Sequence, residues 1–113
     1  MNPEELMELK REKDAVIFAH YYVDKEVQAI ADYVGDSFFL AKKATTVKEK
    51  NIIMAGVYFM GETMKILNPD KHVYLPDMKA DCPMAHMITV EEIQEMRQKY
   101  DDLAVVCYVN STA

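Results

Sequence analysis

The feature that most constrains this chain is an alternation of short apolar runs with amphipathic stretches. Ala15-Val16-Ile17-Phe18-Ala19, Ile52-Ile53-Met54-Ala55-Gly56, His72-Val73-Tyr74-Leu75-Pro76 and Leu103 to Val109 each read as a strand buried on both faces. Between them lie helical patterns. Residues 3–13 place Leu6, Leu9 and Lys10 at helical spacing, with Pro3 suited to a first turn. Residues 25–34 put Val27, Ile30, Ala31 and Val34 on one face, with Gly35 as the stop. Asp36 or Ser37 can cap a helix over 38–48. A helix over 59–67 ends at Asn68-Pro69-Asp70, and Thr89 opens one over 90–100 with Glu92 three residues on. Strands alternating with helices of about ten residues mean βαβ units, so the expected class is α/β, a three-layer module with a small parallel sheet.

An internal repeat bears on organisation. Glu4-Glu5-Leu6-Met7-Glu8-Leu9-Lys10 and Glu91-Glu92-Ile93-Gln94-Glu95-Met96-Arg97 share one order of acidic, apolar and basic positions. A shift of about 88 residues sets His20 against Tyr108 and Tyr22 against Asn110. The expected division is a first module over 1–87 and, over 88–113, the opening helix and strand of a second, truncated one.

Charge and cysteine usage exclude several functions. A formal charge of −6 disfavours non-specific nucleic-acid binding, which needs a basic face. No apolar run approaches the roughly 18 residues of a membrane span. The acidic start Met1-Asn2-Pro3-Glu4-Glu5 is unlike a secretory signal, which reads as a cytoplasmic protein. The two cysteines, Cys82 and Cys107, form neither a CxxC pair nor a disulfide framework.

In open parallel sheets, ligands bind beyond the carboxyl ends of the strands. After the first strand come His20, Tyr21 and Tyr22, where alternation aims an imidazole and a phenol (His20 and Tyr22) the same way. Gly35-Asp36-Ser37 opens a helix, either as a carboxylate or phosphate site or as an ordinary cap. Both phosphate-loop glycine patterns are missing. Cys82, in Ala80-Asp81-Cys82-Pro83-Met84, lies in a loop and is poised for a metal, although a cluster needs several thiolates. Cys107 lies within an apolar run and reads as a core thiol. Tyr108 and Asn110 alternate to one side, ready to orient a polar substrate.

Together these stretches resemble quinolinate synthase. The matching segments are Ala19 to Tyr22, Glu26 to Asp32 leading to Val34-Gly35-Asp36-Ser37, Phe59 to Thr63, and Lys65 to Lys71. Leu75-Pro76-Asp77, Ala80 to Ala85 and Tyr108 to Ala113 complete them. Two departures are Gly61, where the family commonly has Ala, and Asp81, where it often has Gly. The resemblance implies condensation of iminoaspartate (iminosuccinate) with dihydroxyacetone phosphate to quinolinate, a precursor of NAD. It also implies a 4Fe–4S cluster held by three cysteines, one from each of three similar domains about a pseudo-threefold axis, with an open iron position acting as Lewis acid. Carried over by position, Cys82 is the first cluster ligand and Tyr22 a catalytic phenol. His20 and Ser37 bind the dicarboxylate, and Tyr108, Val109 and Asn110 contribute to the same pocket. An L-aspartate oxidase or dehydrogenase would supply iminoaspartate.

The other two cluster cysteines and the later domains' His and Glu would lie beyond Ala113, so this chain alone is expected to be inactive and prone to self-association. A trimer pooling three Cys82 thiols is the remote exception. The readings from other classes are a standalone flavodoxin-like module binding a carboxylate or phosphate, and a remnant without function.

Overall fold

Local capping starts the chain. In the computed structural model, which describes residues 1–113, helix α1 (Pro3–Glu12) begins with a capping box. Asn2 Oδ1 accepts from the Glu5 N–H at 2.8 Å, and the Glu5 carboxylate accepts from the Asn2 N–H at 3.1 Å. Strand β1 (Ala15–His20) follows, with five consecutive buried residues, as expected of a strand covered on both faces. After it come α2 (Lys25–Ile30), β2 (Tyr33–Gly35), α3 (Ser37–Ala44), β3 (Asn51–Ala55), α4 (Tyr58–Leu67) and β4 (His72–Tyr74). A 3-10 turn at Pro83–His86 precedes α5 (Val90–Lys99), which opens with the same capping box, Thr89 with Glu92.

The four strands form one all-parallel sheet in the order β2-β1-β3-β4. Phe18 stands beside Tyr33 on one side and Met54 on the other, and Ile53 beside Tyr74. One side of the sheet carries the main core. Val16 and Phe18 of β1 and Ile52 and Met54 of β3 pack with Leu40 and Ala44 of α3, Phe59, Met60 and Met64 of α4, and Ala85. Alternation sends Ala15, Ile17 and Ala19 to the opposite face, where α1 and α2 lie along β1. The α/β class and the helix-flanked parallel sheet expected from the sequence are present.

The structure corrects the sequence reading in two places. The helix expected over 25–34 stops at Ile30, and Tyr33–Gly35 is a strand. The cause is Asp32. Its backbone N–H donates to Ile17 O at 2.8 Å, and its side-chain Oδ2 accepts from the Ile17 N–H at 2.8 Å. Its other oxygen pairs with Lys10 Nζ at 2.6 Å. These bonds draw the chain off the helix, with Ala31 already extended at φ −79°, ψ 146°, and deliver Tyr33–Gly35 to the edge of β1. Gly35 therefore ends a strand, and a Cβ there would lie 2.3 Å from the Phe39 ring.

The second correction concerns Leu103 to Val109, which forms no strand. A parallel strand takes its hydrogen bonds from neighbours, and none of the four strands pairs with this segment. Val106 is 94% exposed, and Cys107 is an exposed thiol rather than a core one. Helix α5 buries no residue. The Cα radius of gyration is 16.6 Å, against about 13 Å for a compact domain of this length. Smaller differences are that α3 ends at Ala44 rather than at 48 and β4 at Tyr74 rather than at 76. Thr45 and Thr46 turn their hydroxyls onto Lys42 O and Lys43 O where α3 ends.

Candidate active-site cleft

The strand order decides where a site can form. From β1 the chain moves to β2 on one side, then crosses to β3 on the other, so direction switches between β1 and β3. The crevice outside the carboxyl ends at such a switch is the favoured ligand position in doubly wound sheets. A cleft of about 570 Å³ opens there. It holds His20 from β1, Asp36 and Ser37 from the start of α3, Gly56 after β3, Cys82 from the loop after β4, and Tyr108 and Asn110 from the last segment. Phe59 and Met60, both buried, supply an apolar wall.

His20 is oriented by its own turn. Its Nδ1 accepts from the Tyr22 N–H at 3.1 Å, so the neutral ring carries its proton on Nε2 and can donate from there. Tyr21 stacks on the imidazole at 4.6 Å between ring centres, and Tyr22 lies 4.7 Å from it. Desolvation holds the His20 pKa below 6.5, and the Asp36 carboxylate only partly opposes that shift. His20 and Tyr22 thus come together as expected, through a turn at the end of β1 rather than by strand alternation. Tyr22 is 81% exposed. The neighbouring Tyr22 phenol, its ring 4.5 Å from that of Tyr21, is the main cause that raises the Tyr21 pKa above 10.0.

Helix α3 brings its N-terminus to the same crevice. Asp36 is the N-cap, its Oδ1 accepting from the Phe39 N–H at 2.7 Å. Ser37 follows as the first helical residue, buried and lining the cleft. The N–H groups of Ser37 and Phe38 have no intrahelical acceptor by position. The anion-binding and N-cap readings of Gly35-Asp36-Ser37 thereby separate by residue. Asp36 caps, and Ser37 offers a hydroxyl to the cleft.

Cys82 is half-buried against the core cluster and reaches the cleft from a braced loop. The Tyr58 N–H donates to Ala80 O at 2.8 Å, and the Ala85 N–H to Cys82 O at 3.0 Å. Asp81 Oδ1 accepts from the Cys82 N–H at 2.8 Å, while Oδ2 meets His86 Nε2 at 2.8 Å. These two bonds, the Cys82 amide first, hold the Asp81 pKa below its usual value. Cys107 is not in the cleft; its Sγ lies 3.1 Å from Ser111 Oγ. No three His, Cys, Asp or Glu side chains converge as a metal site.

Tyr108 and Asn110 both line the cleft, and Asn110 Oδ1 is buried without a hydrogen-bond donor. Val109 between them faces a separate groove against Phe38 and Leu67. Sequence reasoning overlooked Tyr21, the charge of Asp36 and the Gly56 turn. A Cβ at Gly56 would lie 2.6 Å from Met54 Cε and 2.9 Å from Met60 Sδ, so the glycine leaves room for these two methionine side chains beneath the cleft. A glycine closing an apolar run was the signal available.

Comparison with known proteins gives a consistent result. The sequence profile described as quinolinate synthetase A protein matches residues 4–113. The chain is 71% identical over 108 residues to a quinolinate synthase of Fusobacterium nucleatum subsp. nucleatum, covering 96% of this chain and 36% of that protein. It is 57% identical over 110 residues to that of Pyrococcus abyssi and 54% identical over 110 residues to that of Thermotoga maritima. Each of these two matches covers 97% of this chain and 37% of the relative. No helix is long and apolar enough to cross a membrane.

Proposed function

The chain belongs to the quinolinate synthetase A family, and we propose that it supplies one wall of an active site that joins iminoaspartate to dihydroxyacetone phosphate. The observation that carries the reading is the meeting of His20, Ser37, Cys82 and Asn110 in one crevice at the β1/β3 switch. The chain spans little more than a third of its relatives' length.

The residues suit a four-carbon dicarboxylate. His20 Nε2–H and the Ser37 hydroxyl can each donate to a carboxylate, beside the free N–H groups that open α3. Because its pKa is depressed, His20 acts as a neutral donor near pH 7. Asp36 carries a negative charge beside the cleft, and the Phe39 N–H on its carboxylate offsets only part of its repulsion toward an anion. The Tyr22 phenol stands free at the rim, placed to pass a proton to or from a bound carbonyl or hydroxyl group. Asn110 Oδ1 accepts from a substrate N–H or O–H, which would satisfy a buried oxygen.

A 4Fe–4S cluster would supply an open iron as Lewis acid toward the substrate. This chain contributes Cys82 as one thiolate, and its other donors do not complete a cluster site. Reconstituting the chain alone with iron and sulfide should therefore give no stoichiometric cluster spectrum. The decisive experiment replaces the corresponding first third of the Fusobacterium nucleatum enzyme with residues 1–113. The expected result is quinolinate formation from iminoaspartate and dihydroxyacetone phosphate, abolished by Cys82→Ser. A folded, cluster-loaded chimera that makes no quinolinate would overturn the proposal.

A further inference from the structure

We propose that Glu62 is a positioning residue for the Tyr108–Asn110 side of the cleft, an inference that rests on the dicarboxylate reading of that site. Glu62 lies on α4, outside the crevice, and takes part in none of the four ion pairs of the chain. Its Oε2 accepts from the Ala113 N–H at 3.3 Å, and its Oε1 is buried with no donor. A carboxylate oxygen left so is costly, which makes an incidental surface role a poor explanation.

The segment it holds has little else to hold it. Residues 108–113 form no helix or strand. Apart from the bonds of the adjoining Cys107 thiol to Tyr108 O and Ser111 Oγ, two hydrogen bonds tie them to the rest of the fold. The Thr112 N–H donates to Ala85 O at 3.3 Å, and the Ala113 N–H to Glu62. A local bond from the Ser111 N–H to Val109 O at 2.8 Å closes the turn between these ties and the cleft residues. The next residue of α4, Thr63, lines the groove that receives Tyr108 and Val109. Glu62 therefore clamps one end of a short tight turn whose other end presents Tyr108 and Asn110 to the cleft. Without the clamp, Asn110 would sample positions away from it, and binding would weaken through ordering entropy rather than through a lost contact.

The test compares Glu62→Ala and Glu62→Gln with the unaltered chain, using L-malate as the dicarboxylate probe. Amide exchange and side-chain signals are read by NMR. Glu62→Ala should speed Ala113 exchange about tenfold, the effect of losing a charge-assisted hydrogen bond. It should shift the Asn110 amide and Tyr108 ring signals, leave Phe18 in β1 protected, and weaken malate binding about tenfold by the same measure. Glu62→Gln keeps an acceptor and should restore exchange, signals and affinity to within about threefold. Unchanged Ala113 exchange and Tyr108 signals in Glu62→Ala would overturn the inference, as would a glutamine variant no better than alanine. If the unaltered chain binds no malate while the Ala113, Tyr108 and Asn110 signals respond as expected, the clamp stands; malate binding is then read in the Fusobacterium nucleatum chimera, and an unaltered chimera that binds no malate overturns the dicarboxylate reading.

Discussion

Replacing Asp32 by alanine should destabilise the chain far more than a half-exposed loop aspartate normally would. One oxygen accepts from the Ile17 N–H at 2.8 Å, and Ile17 sits in the most buried strand at 5% exposure. Hydrogen bonds to a charged acceptor contribute about 1.5–3 kcal/mol, and an orphaned strand N–H brings its own desolvation penalty within that range. The other oxygen meets Lys10 Nζ, whose side chain is only 11% exposed, so this ion pair is screened less than a surface one. It should add up to about 1 kcal/mol. Asp32→Ala is thus expected to cost about 3 kcal/mol. Asp32→Asn keeps an acceptor for Ile17 and loses the pair, for about 1 kcal/mol. Lys10→Met should match the asparagine variant, and the double variant Lys10→Met with Asp32→Asn should cost little more than either alone. Urea denaturation followed by circular dichroism measures all four. A cost below about 0.5 kcal/mol for Asp32→Ala, or equal costs for alanine and asparagine, would refute the assignment of Asp32 as the residue that turns the chain into β2.

Three further outcomes are expected. The His20 imidazole should titrate by NMR below 6.5, and burial as a neutral ring has a definite linkage sign. Its stabilising contribution is present above 6.5 and is lost as pH falls through the folded-state value, since the unfolded chain binds the proton first; a titration above 6.5 contradicts this. In a Cys107→Ser background, Asp81→Asn should raise the rate of Cys82 alkylation by iodoacetate relative to iodoacetamide about two- to fivefold, because an anion beside the thiol repels the charged reagent; an unchanged ratio would place the Asp81 charge elsewhere. Gly61→Ala gains about 1 kcal/mol of helix propensity, but the new Cβ would meet Leu75 Cδ1 at 2.8 Å and Cγ at 2.9 Å. The two effects should cancel to within about 1 kcal/mol by thermal melting, and a larger loss would mean that Leu75 cannot move.

How much was legible depended on whether the signal was local. The apolar runs at Ala15–Ala19 and Ile52–Gly56 and the caps at Asp36 and Thr89 carry their information in a few adjacent residues, and the corresponding elements form. The positions of the candidate residues relative to such elements were also legible: His20 closes a strand, Ser37 opens a helix, and Cys82 lies in a loop directly before Pro83. Residues 31–35 misled because the apolar spacing of Val27, Ile30, Ala31 and Val34 is a helical one. What ends the helix is a bond from Asp32 to a residue fifteen positions earlier. Leu103–Val109 misled for the opposite reason, since its strand-like composition needs a neighbour to pair with.

Sequence alone therefore determined the α/β class, the family resemblance and the identities of His20, Ser37, Cys82 and Asn110 as a candidate set. It also placed the two cysteines in unlike contexts, and the structure adds that Cys107 does not join Cys82 in the cleft. Tertiary structure decided the order β2-β1-β3-β4, and with it which strand ends border one crevice. It decided that Asp36 caps while Ser37 lines the cleft, and that Glu62 accepts from the Ala113 N–H. The physical reason is common to all of these. Periodicity and capping are written over three or four residues, whereas strand order, burial and the partner of a carboxylate depend on groups that only the folded chain brings within reach.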